Sequence, residues 1–153
     1  MKEYEEKLKR FMFDNKISGE HLSFSKSCHS VEEAANAVKT SSDNFVKSIC
    51  LISSRGLIVA IVKGENRVST TSVGKVLGIE RPRIATPEEI LDLTGYLCGG
   101  TPSFGYSAIF LIDEEVMKKE TAYMGGGSPN SLVKISTSEL VRANSGKFVK
   151  IRK

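Results

Sequence analysis

Apolar residues recur along this chain with two periods, and the switches between them mark out its elements. Tyr4, Leu8, Phe11 and Met12 fall on one stripe of an opening helix. A second helix starts at Ser30, where the serine hydroxyl and the Glu33 carboxylate make a capping box, and Ala34, Ala35 and Ala37 allow close packing behind it. The run "NFVKSICLI" (44–52) then alternates with period two. It meets "LIVAIVKG" across the short connection 53–56, which predicts a hairpin of two β-prone strands at the centre of the sheet. A short helix over 71–77 is closed by Gly78. In "TPEEILDLTG" Thr86 caps a further helix, Pro87 takes its first turn, Glu89 completes the box and Gly95 stops it. The strands "SAIFLID", "TAYM" and "SLVKI" follow, the first trailed by an acidic turn and the last two separated by "GGGSPN". Ser136, with Glu139 three residues on, opens the last helix, and "GKFVKI" supplies a closing strand. No linker, repeat or low-complexity tract interrupts this order, which predicts one mixed α/β domain over 1–153, built around one sheet.

The alternation has one anomaly. Phe45, Lys47, Ile49 and Leu51 share the inward side of their strand, so a cation stands among apolar neighbours. Burying an unpaired ammonium costs several kcal/mol, so a compensating anion is expected, and that anion can be a ligand. The alternative is that Lys47 lies on an edge strand and snorkels to solvent.

Composition narrows the class without naming a function. A chain of 153 residues with 40% hydrophobic and 26% charged residues has the make-up of an ordinary globular protein. "GLIVAIV" is too short to cross a bilayer and the charged start has no apolar run behind it, so no membrane segment is predicted and the cytosol is the expected compartment. Cys28, Cys50 and Cys98 are odd in number and widely spaced, which suits reduced thiols rather than a disulfide framework or a zinc knuckle. The two histidines, His21 and His29, have no partner at metal-ligand or triad-like spacing, and a thiolate–imidazole pair between the adjacent Cys28 and His29 would need an unusual bend. The 22 basic against 18 acidic residues give +4, part of it gathered in "KFVKIRK". That favours an anionic partner, or is simply a solvated basic face.

Two glycine-rich loops offer a possible anion nest, since glycine lets backbone N–H groups turn toward a ligand. One holds Gly99, Gly100, Thr101 and Pro102; the other holds Gly125, Gly126, Gly127 and Ser128. Neither has the spacing of a nucleotide-binding P-loop or a dinucleotide fingerprint, and either can equally be a tight turn.

Four stretches, "HSVEEAANAV", "NFVKSICLI", "VSTTSVGKVLGIERPRIATPEEILDLTGYLCGGTPSFG" and "AYMGGGSPNSLVKISTSELVRA", occur in the order seen in the YbaK-like, prolyl-tRNA-synthetase-associated editing domains, which the chain resembles over nearly its whole length. "TGYLCGGTPSFG" is the most specific of them, and the lysine of "VKS" matches the family's strand lysine. The resemblance implies a mixed, partly barrel-like β-sheet flanked by helices. It also implies hydrolysis, without metal or organic cofactor, of the ester joining a wrongly chosen amino acid to its tRNA. On that footing Lys47 and Gly100 are the expected catalytic residues, with Gly99, Thr101, Pro102, Gly125, Gly126, Gly127 and Ser128 binding the 3′-terminal aminoacyl-adenosine. Lys47 would orient the negative charge of the substrate, and Gly100 would bind the 3′-terminal nucleotide or hold the oxyanion. Family likeness further suggests that the terminal ribose hydroxyl positions the attacking water, so that no side-chain base is needed. A trans-acting deacylase of mischarged prolyl-tRNA is the expected function, with a prolyl-tRNA synthetase as candidate partner and a non-catalytic tRNA-binding module as the alternative. After Tyr123 the Gly-Gly-Lys-Arg-Gly type of segment seen in some relatives, with its following acidic residue, is replaced by Gly125, Gly126, Gly127, Ser128 and Pro129 and later Val133, which leaves the amino-acid specificity open.

Overall fold

Caps fix the helix boundaries. At α4 (Pro87–Thr94) the Thr86 hydroxyl accepts from the Glu89 N–H at 3.2 Å while the Glu89 carboxylate accepts from the Thr86 N–H at 2.9 Å, and Gly95 ends the helix with φ at +80°. At α2 (Val31–Val38) and α5 (Thr137–Asn144) only the hydroxyl half of the box forms. The Glu33 carboxylate takes the Ser30 hydroxyl instead, and that of Glu139 is held by Arg142 and the Ser18 N–H. The expected box at Ser30 is therefore a single cap.

These residues belong to a computed structural model that describes residues 2–25 and 30–153. The adjacent Cys28 and His29 lie outside the described residues. The remaining elements are α1 (Lys2–Asp14), β1 (Glu20–Ser23), β2 (Val46–Ser53), β3 (Gly56–Lys63), α3 (Thr70–Leu77), β4 (Arg83–Ile84), β5 (Ile109–Asp113), β6 (Thr121–Gly125), β7 (Ser131–Ser136) and β8 (Lys147–Val149). The acidic turn after β5 is a short 3₁₀ helix, Glu114–Lys118.

The mixed α/β class is as the sequence predicts, but the strands divide between two sheets rather than one. Five run in the order β4-β2-β3-β5-β8 and three in the order β1-β7-β6. The hairpin of β2 and β3 closes through a two-residue turn between Ser53 and Gly56 and sits inside the larger sheet. Both faces of β3 are buried, since its alternate residues belong to two different core clusters, which is why it reads as an unbroken apolar run. The pairs β3–β5 and β5–β8 are parallel, and α3, β4 and α4 occupy the crossover that a parallel pair requires. Leu8 and Met12 of α1 belong to the cluster on one face of the larger sheet, and Val73 of α3 to the cluster on the other. The two sheets meet at Phe45. There a single parallel bridge joins Phe45 to Tyr123 of β6, and their rings stack at 5.0 Å.

Candidate active site

The split between the sheets creates a pocket. Along one side β2 is paired with β3 throughout, but along the other it pairs with β4 only at Leu51 and Ile52, and the residue before it, Phe45, bridges β6. The stretch between them has no strand beside it. Because the Cys50 carbonyl faces this side, where it accepts from the Ala85 N–H at 2.9 Å, the period-two alternation turns the backbone groups of Val46 and Ser48 the same way. The open edge forms one wall of a cavity of about 380 Å³. Ala34, Ile90, Met124 and Leu132 supply apolar surface, and Cys98 and Gly99 lie across from the strand.

Lys47 is the single charged side chain on this lining, which contains no carboxylate and no histidine among the described residues. It is partly buried, and among the described residues its ammonium has no hydrogen-bond or ion-pair partner. Burial, and secondarily the positive charge of Arg67, hold it below the usual lysine range. Lys63, on the neighbouring strand opposite Val46, shows the contrast: Asp43 and Glu65 flank it, the Asp43 hydrogen bond raises its pKa, and Asp43 also takes Lys119 at 2.5 Å. Lys63 is thus neutralised by its neighbours, while Lys47 lines the cavity with no partner among the described residues.

The first glycine loop divides into a lining part and a structural part. Gly99 and Thr101 line the pocket, and among the described residues neither backbone N–H has an acceptor within the protein. Gly100, between them, is turned away. Its N–H donates to the Leu97 carbonyl at 3.0 Å, its carbonyl accepts from the Gly127 N–H at 2.8 Å, and a Cβ placed on it would stand 2.3 Å from the Ser128 carbonyl carbon. The Gly100 amide, of which an oxyanion role is expected, is thus engaged by the Leu97 carbonyl in this structure. Pro102 is buried behind the loop, with its carbonyl accepting from the Tyr106 hydroxyl at 2.6 Å.

The second loop contributes only Gly125 to the lining, and there a Cβ would meet the Thr101 carbonyl oxygen at 2.5 Å. Gly126, Gly127 and Ser128 are buried and belong to a joint with α1 rather than to a ligand nest. Ser128 donates to the Glu5 carboxylate at 2.8 Å, and Ser23 of β1 donates to the other oxygen of the same group at 2.8 Å. Gly127 has φ +105°, and a side chain there would strike the Tyr4 carbonyl at 2.7 Å. Of the residues named from sequence, Lys47, Gly99, Thr101 and Gly125 converge, and Gly100, Pro102, Gly126, Gly127 and Ser128 stand behind them.

Two contributors escaped the sequence reading. Ser48 shares a 2.7 Å hydrogen bond with the fully buried Ser103, whose carbonyl also accepts from Asn144 at 3.0 Å, so β2 is tied directly to the Gly99–Ser103 turn. A hydroxyl inside an apolar strand was the available signal. Cys98 lines the pocket with an exposed thiol, whereas the Cys50 thiol opposite is buried and pushed up to about 12, first by that burial and then by Cys98. His21 bonds the Gly126 carbonyl at 2.8 Å and takes no part in the lining.

Comparison with known proteins gives a consistent picture. The sequence profile described as the aminoacyl-tRNA editing domain matches residues 25–143. The uncharacterized protein YwhH of Bacillus subtilis (strain 168) is 26% identical over 120 residues, 76% of each chain. A proline–tRNA ligase of Lactobacillus johnsonii (strain CNCM I-12250 / La1 / NCC 533) is 27% identical over 70 residues, which is 46% of this chain and 12% of the ligase. Among solved structures, a candidate trans-editing enzyme for prolyl tRNA synthetase superposes with a TM-score of 0.91 at 24% identity, covering 98% of this chain and 97% of that one, and so shares the fold.

Proposed function

Since the chain belongs to the aminoacyl-tRNA editing domain family, we propose that it is a deacylase that hydrolyses the ester of mischarged tRNA, with prolyl-tRNA carrying a wrong amino acid as its first candidate substrate. The observation that carries this reading is a lysine on the lining of an otherwise uncharged pocket whose ammonium, like the Gly99 and Thr101 N–H groups on the same lining, has no partner among the described residues. The 3′ end of an aminoacyl-tRNA brings phosphate, ribose hydroxyls and an ester carbonyl to such a site. Lys47 holds the negative charge of that end and fixes its orientation. Water adds to the ester carbon, the carbonyl oxygen becomes an oxyanion facing the two amides, and collapse expels the ribose oxygen, which takes up a proton. With no carboxylate or imidazole on the described lining, the ribose hydroxyl next to the ester is the group available to orient the water.

The test is a panel of prolyl-tRNAs charged with alanine, cysteine, serine or threonine, each followed for loss of ester against the uncatalysed rate. Selective acceleration of one or more esters is the expected result. Binding of the same RNAs without any acceleration would overturn the deacylase reading in favour of a tRNA-binding module.

A further inference from the structure

The basic segment "KFVKIRK" (147–153) plays no part in the pocket lining, yet the fold ties its end to the stretch that leads away from β3, where Arg67 lies close enough for its charge to act on Lys47. Residues following β3 leave the wall directly: the Gly64 N–H donates to the Phe45 carbonyl at 2.7 Å, and the chain then passes through Arg67 before entering α3. The end of the chain is stitched to that same passage. The Ser69 N–H donates to the Ile151 carbonyl at 2.6 Å, Val68 bridges Arg152, and the Lys153 N–H donates to the Arg67 carbonyl at 2.8 Å.

Buried Asp113 explains why the segment stays there. One of its oxygens accepts from the Ile151 N–H at 2.9 Å and the Arg152 N–H at 3.1 Å, while the other takes the Arg152 guanidinium at 3.0 Å. Glu114 and Glu115 complete the cage around Arg152. That arginine is thereby spent on anchoring. Arg67, Lys150 and Lys153 are different: all three are exposed, and among the described residues none has a side-chain partner. Glu65, the acid nearest Arg67 in sequence, is engaged by Lys63.

We propose that Arg67, Lys150 and Lys153 form a phosphate-binding track that carries the RNA backbone away from the pocket, so that the protein grips the substrate's duplex arm as well as its aminoacylated end. The assignment rests on the reading of the substrate as tRNA. Its chemistry is that of phosphodiester recognition by exposed cations, which carries no base information and is strongly salt-dependent. Lys47 meets the end of the strand inside the pocket, and the track meets the phosphates that precede it.

The experiment separates RNA binding from turnover. Arg67→Ala, Lys150→Ala, Lys153→Ala and the triple variant are compared with wild type for uncharged tRNA binding between 50 and 200 mM salt and for deacylation of charged tRNA and of a minimal aminoacyl-adenosine, roughly across the range where phosphate contacts dominate. Lys9→Ala, on α1, controls for loss of one charge. The slope of log affinity against log salt should fall by about 0.7 to 0.9 for each contact removed, and KM for the intact RNA should rise about tenfold in the triple variant, with hydrolysis of the minimal substrate unchanged. A reduced slope in the variants supports the track even if wild type deacylates nothing, in which case it is the deacylase reading that fails. Unchanged slope and KM overturn the track, as does an equal loss on both substrates or a wild type that binds no RNA.

Discussion

The Gly127 N–H donates to the Gly100 carbonyl at 2.8 Å, so the two glycine-rich loops are bonded to each other. Gly100 and Gly125 are each hemmed in by the other loop's backbone: a Cβ on Gly100 would lie 2.3 Å from Ser128, and one on Gly125 would lie 2.5 Å from the Thr101 oxygen. Gly100→Ala is therefore expected to cost stability as well as activity, by about 1 to 3 kcal/mol or more from overpacking against backbone. Urea denaturation of the variant measures this. Wild-type stability with lost turnover would mean instead that the amide itself serves the reaction.

Lys47→Ala should remove most deacylation without lowering the midpoint of unfolding, because among the described residues no protein group pairs with that ammonium. Loss of a well-placed electrostatic group in other enzymes costs about 2.7 to 4 kcal/mol of barrier, so a drop of about a hundredfold or more in kcat/KM is expected. An unfolded variant would show that Lys47 has a structural partner.

The depressed pKa of Lys47 also gives a pH signature. If the charged form holds the substrate, activity falls on the alkaline side below the usual lysine range, and Lys47→Arg, which stays charged, loses that limb even if its turnover is lower. For stability the sign is opposite. The unfolded lysine keeps its proton to a higher pH than the folded one, so the strain of burying the charge is fully present below the folded pKa and is relieved as pH rises from the folded toward the unfolded value. Wild type should gain stability relative to Lys47→Ala across that window, as read by denaturant melts at a series of alkaline pH values.

Ser48→Ala deletes the hydroxyl that meets Ser103 and leaves a fully buried hydroxyl without that partner. The expected cost is about 1 to 3 kcal/mol. Since the same bond ties β2 to the loop that carries Gly99 and Thr101, kcat should fall more than KM rises.

Glu5→Ala, outside the pocket lining, should lower thermal stability and turnover together. Its carboxylate is the common acceptor for Ser23 and Ser128, and without it the second loop loses its tie to α1. Glu5→Gln, which keeps an acceptor oxygen, is expected to recover part of both. Differential scanning calorimetry alongside the ester assay checks the pairing.

The helices and the central hairpin were legible because their signals are local. Thr86, Glu89 and Gly95 announce both ends of α4, and the alternation around Lys47 isolates a cation that does reach the cavity. β1 and β4, of four and two residues, were not legible, because strands so short exist only through partners distant in sequence, such as Leu22 against Leu132 and Ile84 against Leu51. The glycines carried an ambiguity of another kind. A glycine that opens space for a ligand and one that lets two backbones touch are the same letter. The two loops face each other, so Gly99 and Gly125 border the cavity while Gly100 and Gly127 bind one another. Ser48 was hidden because its partner, Ser103, lies on a loop whose approach no periodicity encodes.

The pocket is assembled from chain segments spread between Ser30 and Leu132, on both sides of the break at Phe45. A protein emerging from the ribosome therefore owns Lys47 long before it owns the opposite wall, and β6 and β7 must be delivered before any cleft exists. A half-made chain displays that lysine on a strand with one open edge but has no enclosure around it. In the finished protein the same layout works in reverse. Transient parting of the two sheets at the Phe45–Tyr123 bridge would erase the cavity well before the rest of the molecule melts, and amide hydrogen exchange at Tyr123 should run ahead of exchange in β3.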